Sequence, residues 1–485
     1  MTMINNIKRI SAALAVLCCV SSCNSDFLQI YPETSLNEGN FYKSDEDLVA
    51  LVNGCYIALR DMEKRDHWNI SELKSDVLIQ QRSSSAGDFN TARLDEVNAG
   101  SDNISLTNFW NISYRGIYNC NKALSVLESN VYEWTNQALK NRSVGEVRFL
   151  RALYYFNLVR QYGGVPLVTQ PVTGAEAVDI KRASVQDVYD LIISDLQAAQ
   201  TAFAQAQAVH ANGRAGLEAA NGLLGKVYLT LRDYDSALAQ LKKVIDSGKH
   251  RLLDDYAEVF NPARKDFVET IFSVQYSEAA ADLSNQYIFF NAPYRSQGEV
   301  TKRPNIALSL AGNMAPSTEL IRAFSDGDKR KDVSIAFWYG LDWDNEMRNL
   351  PYCAKYKSPQ TAALNWCGDN FPILRYSDIL LMYAEALNLS GRTAEAVPYV
   401  QMVRQRAGLN NDLSTLSQSE LDRLIEDERM REFCFENQRW YDLVRRGRAL
   451  EVMRAQGKDM AEIQLLAAIP SEQILINKLD QNPGY

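Results

Sequence analysis

The sequence predicts a mainly α-helical body, a tetratricopeptide-like α-α superhelix that carries one large irregular, partly β insert. Three observations point there. Two segments share the residue offsets of a helix-turn-helix repeat, and most other apolar residues recur with a helical period. The stretch from Gln275 to Phe371 has no such period, yet holds 14 aromatic residues among its 97.

The first residues read as an export signal. Lys8-Arg9 precedes an apolar run from Ile10 to Val20, closed by Ser21-Ser22-Cys23. In a helix that run reaches only about 16 Å at ~1.5 Å per residue, roughly half a bilayer core, so a cleaved leader fits better than a membrane span. The Val20-Ser21-Ser22-Cys23 end resembles a bacterial lipobox, in which the cysteine is acylated and becomes the first mature residue. Residues 1–22 are therefore expected to be a lipoprotein signal peptide, with lipid on Cys23. Ordinary cleavage after a small residue, leaving Cys23 an unmodified thiol, is the alternative. A single acyl chain anchors only marginally, at ~0.8 kcal/mol per buried CH₂, which is why several on one residue matter.

Residues 23–485 carry no long Gly/Ser or Pro linker and are expected to form one continuous body. Apolar spacing predicts helices over Asp45 to Arg60, Leu106 to Glu128, Val144 to Tyr162 and Ser184 to Phe203. In the first repeat Ala220, Leu223, Leu224, Val227, Tyr228 and Leu231 line one helix face. The turn Asp233-Tyr234-Asp235 reverses the chain, and Ala237, Leu238, Leu241, Val244 and Ile245 form the returning stripe. Gly225 and Ala237, twelve apart, place small residues where the two helices cross. Val268 to Tyr276 reads as a strand entering the insert, which spans about 275–371. In the second repeat Ala384, Leu387 and Ala396 keep the same offsets around a Ser390-Gly391 turn, and Val397, Val400 and Val403 continue the stripe. A last helix is predicted from Ser419 to Arg446.

Composition narrows the function. With 46% hydrophobic and 23% charged residues the chain is neither disordered nor a multi-span membrane protein. Its formal charge of −9 becomes −11 without the leader, which carries Lys8 and Arg9 and no acid. Nucleic acid and anionic lipid surfaces are thereby disfavoured as partners. After loss of Cys18, Cys19 and the lipidated Cys23, five cysteines remain, and an odd number cannot all pair. Cys55, Cys120 and Cys434 sit in helical patterns as small hydrophobes, and Cys353 with Cys367, in a loop-rich stretch, is the one candidate disulfide.

Four blocks carry a family resemblance. The mature start runs from Cys23-Asn24-Ser25-Asp26-Phe27-Leu28 through Tyr31-Pro32 to Asn40-Phe41-Tyr42. The second block is Gly145-Glu146-Val147-Arg148-Phe149-Leu150-Arg151-Ala152-Leu153-Tyr154-Tyr155-Phe156, trailed by Tyr162-Gly163-Gly164-Val165-Pro166-Leu167. The third runs from Glu428-Arg429-Met430-Arg431-Glu432-Phe433 to Gln438-Arg439-Trp440-Tyr441-Asp442-Leu443, and the fourth from Ile469-Pro470 to Gln481-Asn482-Pro483-Gly484-Tyr485. In this order, behind a lipobox, they resemble the SusD/RagB family of nutrient-binding outer-membrane lipoproteins. The resemblance runs from end to end and is weakest in the insert. It implies about four tetratricopeptide-like helix pairs against an irregular ligand-binding half. It also implies a cell-surface position over a SusC-like, TonB-dependent transporter. Oligosaccharide ligands are implied first, peptides in a minority branch.

The residues themselves offer little chemistry of bond cleavage. His67, His210 and His250 have no metal-ligand spacing, and no nucleophile elbow, phosphate loop or paired C-x-x-C occurs, so no cofactor or metal is expected. Glu428, Glu432 and Glu436 fall at i, i+4, i+8, which invites a glycosidase reading. Arg429, Arg431, Arg439 and Arg445 crowd the same element and would lower a carboxylate's pKa, the wrong direction for a general acid; an ion-pair network is expected instead, as for Arg148 and Arg151. Sugar binding asks for flat aromatic faces flanked by polar groups. Two regions supply them: Trp68 with Asp88, Phe89 and Asn90, and the insert with Tyr287, Phe289, Tyr294, Arg295, Trp338 and Trp343. The leading expectation is a non-catalytic glycan-binding lipoprotein. A peptide-binding relative, a repeat scaffold and a glycoside hydrolase stand as alternatives.

Overall fold

The computed structural model describes residues 42–81, 89–206, 213–263, 265, 268–296, 298–302, 314–356 and 366–485. The leader, Cys23 and Asp88 lie outside these residues.

Helix α1 (Asp45–Met62) starts where Ser44 and Asp47 exchange side-chain and backbone hydrogen bonds in a capping box. It is followed by α2 (Phe89–Asp95), α3 (Ile104–Leu127), α4 (Gln137–Tyr162), α5 (Val185–Gln205), α6 (Leu217–Thr230) and α7 (Tyr234–Asp246). After the insert come α8 (Tyr376–Leu389), α9 (Thr393–Arg406), α10 (Gln418–Phe433) and α11 (Arg439–Arg445). Eight of these stack as four pairs, α1 with α3, α4 with α5, α6 with α7 and α8 with α9, each pair packing on the next. The mainly helical, repeat-built body expected from the periodicity is what forms. Helix α4 begins seven residues before the expected start because the Asn136 side chain caps it at the Leu139 amide.

Close crossings occur where side chains are small. A Cβ on Gly225 would lie 2.6 Å from the Leu241 side chain, and one on Gly116 would lie 2.4 Å from the Tyr154 ring. That ring's hydroxyl donates to the Cys55 carbonyl at 2.7 Å, tying α4 to α1. Arg151 grips Asp195 of α5 through Nε and Nη2 at 2.7 and 2.8 Å, both groups buried, which makes it the structural pair expected.

The predicted last helix is broken. Helix α10 ends at Phe433, and Phe435 and Asn437 take positive φ of 67° and 56° before α11 begins. The cause is Lys355, whose ammonium takes the helix-end carbonyls of Glu432 (3.0 Å) and Cys434 (2.7 Å), while the Phe435 amide turns to the Glu72 carboxylate at 3.1 Å. Glu436 therefore lies past the helix that holds Glu428 and Glu432.

Strands are few and short among the described residues. β1 (Leu78–Gln80) pairs with β3 (Met314–Pro316), β2 (Thr270–Val274) with β6 (Phe371–Arg375), and β4 (Ile335–Leu341) with β5 (Met347–Cys353), all antiparallel. β2 and β6 sit at the two ends of the insert, so their pairing closes it into a loop rooted on the helical frame. Cys353 and Cys367 are free thiols, not a disulfide: the first lies in the main core and the second in a small cluster with Ile288 and Phe289. Cys55, Cys120 and Cys434 are buried and free, as expected. No helix among the described residues is long and apolar enough to cross a membrane.

Candidate binding surface

Three of the ten expected ligand contacts are core residues. Trp68 is only 3% exposed and lies between Phe435, stacked at 6.2 Å, and Tyr287, stacked at 5.3 Å. Tyr356 and Phe371 close the cluster from the edges. Tyr287 donates its hydroxyl to the Glu63 carbonyl at the end of α1, and Phe289 packs with Ile288 and Cys367 against Tyr352. The correction has a simple cause: Trp68 and Tyr287 join the main core where the insert roots on the helical frame, and Phe289 fills a small core of the insert itself.

Of the other expected aromatics, Phe89, Trp338 and Trp343 do reach the surface, and the Tyr294 side chain lies outside what is described. Phe89 is exposed at the start of α2 with the Arg93 guanidinium 5.3 Å from its ring. Asn90 is spent locally: its side chain accepts from the Ile104 amide at 3.3 Å and its carbonyl from Asn103 at 2.9 Å. The β4–β5 hairpin carries the rest. Alternation along a strand sends successive side chains to opposite faces. Phe337, Tyr339 and Leu341, with Met347 across the ladder from Leu341, are exposed on the outer face, and Tyr339 is 67% exposed.

Trp338 projects on the other face. A Cβ on Gly340 would fall 2.0 Å from its ring, so the indole lies flat along the strand over a residue with no side chain. Its Nε1 donates to Glu299 at 2.7 Å. The seat and the hydrogen bond together hold the ring in one orientation. At the hairpin turn, Trp343 is half-buried, its amide donating to the Asp342 carboxylate at 2.7 Å. Arg348 bridges Asp342 and Asp344, and Arg295 donates to Asn345 at 2.8 Å, linking the turn to the preceding segment. The Asp344 carboxyl is held below its ordinary range first by the Arg348 hydrogen bond. The backbone at Tyr294 is a short 3-10 turn beside Arg295. Arg295, Trp338 and Trp343 are thus brought together. Phe337 and Glu299 were missed, although the apolar run Phe337-Trp338-Tyr339 was there to read.

The carboxylates that invited a glycosidase reading are locked away. Arg330 binds Glu428 at 2.6 Å and Glu432 at 3.1 Å, Arg375 binds Glu269, Glu432 and Glu436, and Arg406 binds Glu269 and Glu432, all buried. Burial alone would raise the Glu432 carboxyl, but Arg406, Arg375 and Arg330 outweigh it and hold it far below the usual range. Glu428 is lowered in the same way, burial being overcome by Arg330, Arg431 and Arg404. Neither is poised to donate a proton.

A family model described as starch-binding, associating with outer membrane, matches residues 26–229, and the model of the SusD family matches residues 343–467. The two cover about two-thirds of the chain, and the unmatched stretch between them holds most of the aromatic insert. The chain belongs to the SusD family. SusD-like protein P2 of Formosa agariphila is 28% identical over 497 aligned positions, covering 94% of this chain and 96% of that protein. A laminarin binding SusD-like protein of known structure superposes with a TM-score of 0.78 at 25% identity, over 92% of this chain and 100% of that one. A SusD superfamily protein from Parabacteroides distasonis gives the same score and coverage at 26% identity. Of the β4–β5 hairpin, β5 lies within the part that the SusD family model matches, and β4 lies in the stretch between the two models.

Proposed function

We propose that this SusD-family chain is a non-catalytic, cell-surface lipoprotein of the outer membrane, anchored through Cys23. It binds nutrient oligosaccharides on the β4–β5 hairpin and delivers them to a SusC-like, TonB-dependent transporter. The observation that carries the reading is Trp338, a ring bedded on Gly340 and tied to Glu299 in a hairpin whose opposite face leaves Phe337 and Tyr339 open. Phe337 and Tyr339, with Leu341 and Met347 on the same face, form an exposed apolar patch of the sort that marks a recognition surface, and Trp338 offers a fixed ring on the other face. Sugar rings present apolar C–H faces to such surfaces, and a fixed indole costs no ordering entropy on binding. The laminarin-binding relative supports a glycan, and the locked Glu428 and Glu432 support binding without turnover.

The test is calorimetry of the mature chain against purified laminari-oligosaccharides, other oligosaccharides and peptides. A stacked ring contributes on the order of 1–3 kcal/mol, so Trp338→Ala or Tyr339→Ala is expected to weaken binding roughly 5- to 150-fold with an unchanged melting temperature. The ligand is recovered at full length. Normal binding by both variants rules out the hairpin, peptide binding in place of sugar overturns the ligand class, and a shortened ligand overturns the non-catalytic reading. Cys23→Ala is expected to leave the detergent phase, and co-purification from mild detergent should recover a large barrel protein.

A further inference from the structure

On the side of the insert that meets the end of α1, a cavity of about 160 Å³ is lined by Lys64, Ser284, Asn285, Gln286, Phe290 and Trp366. Protein interiors do not normally leave voids of this size, and one lined by amides and an ammonium is filled by solvent or ligand. Most of its polar groups are already used. Asn285 donates to the Asp369 carbonyl at 2.6 Å and accepts from the Tyr287 amide, and Ser284 donates to the Ala281 carbonyl at 3.0 Å. Two are less engaged among the described residues. The half-buried Gln286 carboxamide makes no hydrogen bond among the described residues. Lys64 is held only loosely, 3.2 Å from the Asp282 carbonyl and 3.4 Å from the Asp61 carboxylate, and that carboxylate is bound more closely by Arg115 at 2.6 Å. Trp366 and Phe290 add two aromatic walls.

An aromatic wall, one amide and one cation with a nearly spent counterion form a complementary set for a single ring that bears hydroxyls and a negative charge. We infer that this cavity is a second ligand site, separate from the hairpin, that accepts one acidic sugar ring through stacking on Trp366, amide contact from Gln286 and charge pairing with Lys64. The inference rests on the glycan-binding reading above and narrows it to polymers with carboxylate- or sulfate-bearing units. The cavity is too small for a chain, so it reads a terminal or branching ring.

The experiment titrates the mature chain with glucuronate, glucose 6-sulfate and glucose, followed by saturation-transfer NMR and calorimetry. Both acidic probes are expected to bind at least about tenfold more tightly than glucose, and Lys64→Met to remove that preference while melting at the wild-type temperature. Gln286→Ala weakens all three probes, and serves in place of Lys64→Met should that variant unfold. Preference for only one acidic probe fixes the anion as carboxylate or sulfate. Equal affinity for glucose, absence of binding, or binding unaffected by both variants overturns the proposal. Acidic-ring binding that persists in a chain that takes up no oligosaccharide on its hairpin breaks the earlier reading and leaves this site standing; oligosaccharide binding without any acidic-ring binding does the reverse.

Discussion

The seam around Glu432 and the β4–β5 hairpin use the same residue types to opposite ends. In the seam, arginines and glutamates from β6, α9 and α10 are almost fully buried and pair with one another, with Arg375 alone reaching Glu269, Glu432 and Glu436. In the hairpin, Arg348 pairs with Asp342 and Asp344 in the open, and the neighbouring rings face solvent. Aromatics divide the same way, Trp68 enclosed by rings on several sides and Tyr339 by almost nothing. Residue type therefore does not separate scaffold from surface; the number of partners does.

The comparison can be broken most forcefully in the seam. Glu432→Ala removes a carboxylate shared by Arg330, Arg375 and Arg406 and is expected to cost about 3–5 kcal/mol in chemical denaturation, because the excess positive charge it leaves is buried and has no water to turn to. A cost under ~1 kcal/mol would mean the seam is wetter than its geometry shows. Trp68→Ala should cost a similar ~3–5 kcal/mol by leaving a cavity among Tyr287, Tyr356 and Phe435. Its melting temperature falls, unlike that of the hairpin variants, and equal melting would return Trp68 to the candidate site.

A pH experiment sharpens the contrast. Burial drives the Glu72 carboxyl up to about 7, against the Phe435 amide, Lys355 and the Asn437 and Gln438 amides, which pull it down. Its folded pKa lies above the unfolded value of ~4.3, so the folded state holds the extra proton and stability from this group is present below that value and lost as pH rises through about 7. Glu72→Gln should flatten the change in denaturation midpoint between pH 4.5 and 8, by up to about 3 kcal/mol. An unchanged slope would place the titration elsewhere. The smallest effect belongs to Arg348→Ala, whose pairs with Asp342 and Asp344 lie in the open and weaken in salt, so the denaturation midpoint should barely move. A larger loss would show that the hairpin turn is part of the frame.

The helical frame was legible because it is written in local spacing. Gly225, Ala237, Ala384 and Ala396 mark helix crossings from their offsets alone, and the start of α1 is visible in Ser44 to Asp47. The break after Phe433 was not legible, since Lys355 reaches it from 77 residues away in sequence relative to Glu432. The aromatic-rich region was legible, but not which of its rings reach the surface. In a segment without a period, sequence gives no phase to separate Tyr287, buried against Trp68, from Tyr339, exposed on a strand. Only the pairing of β4 with β5 supplies that phase, and once it is set the alternation follows.

Gly340 gives the hairpin an adjustable seat. The indole of Trp338 takes its tilt from the bare backbone beneath it, so every carbon added at position 340 lifts the ring without touching a ligand. Re-aiming the ring therefore takes no change at position 338, only a single-codon change at this seat.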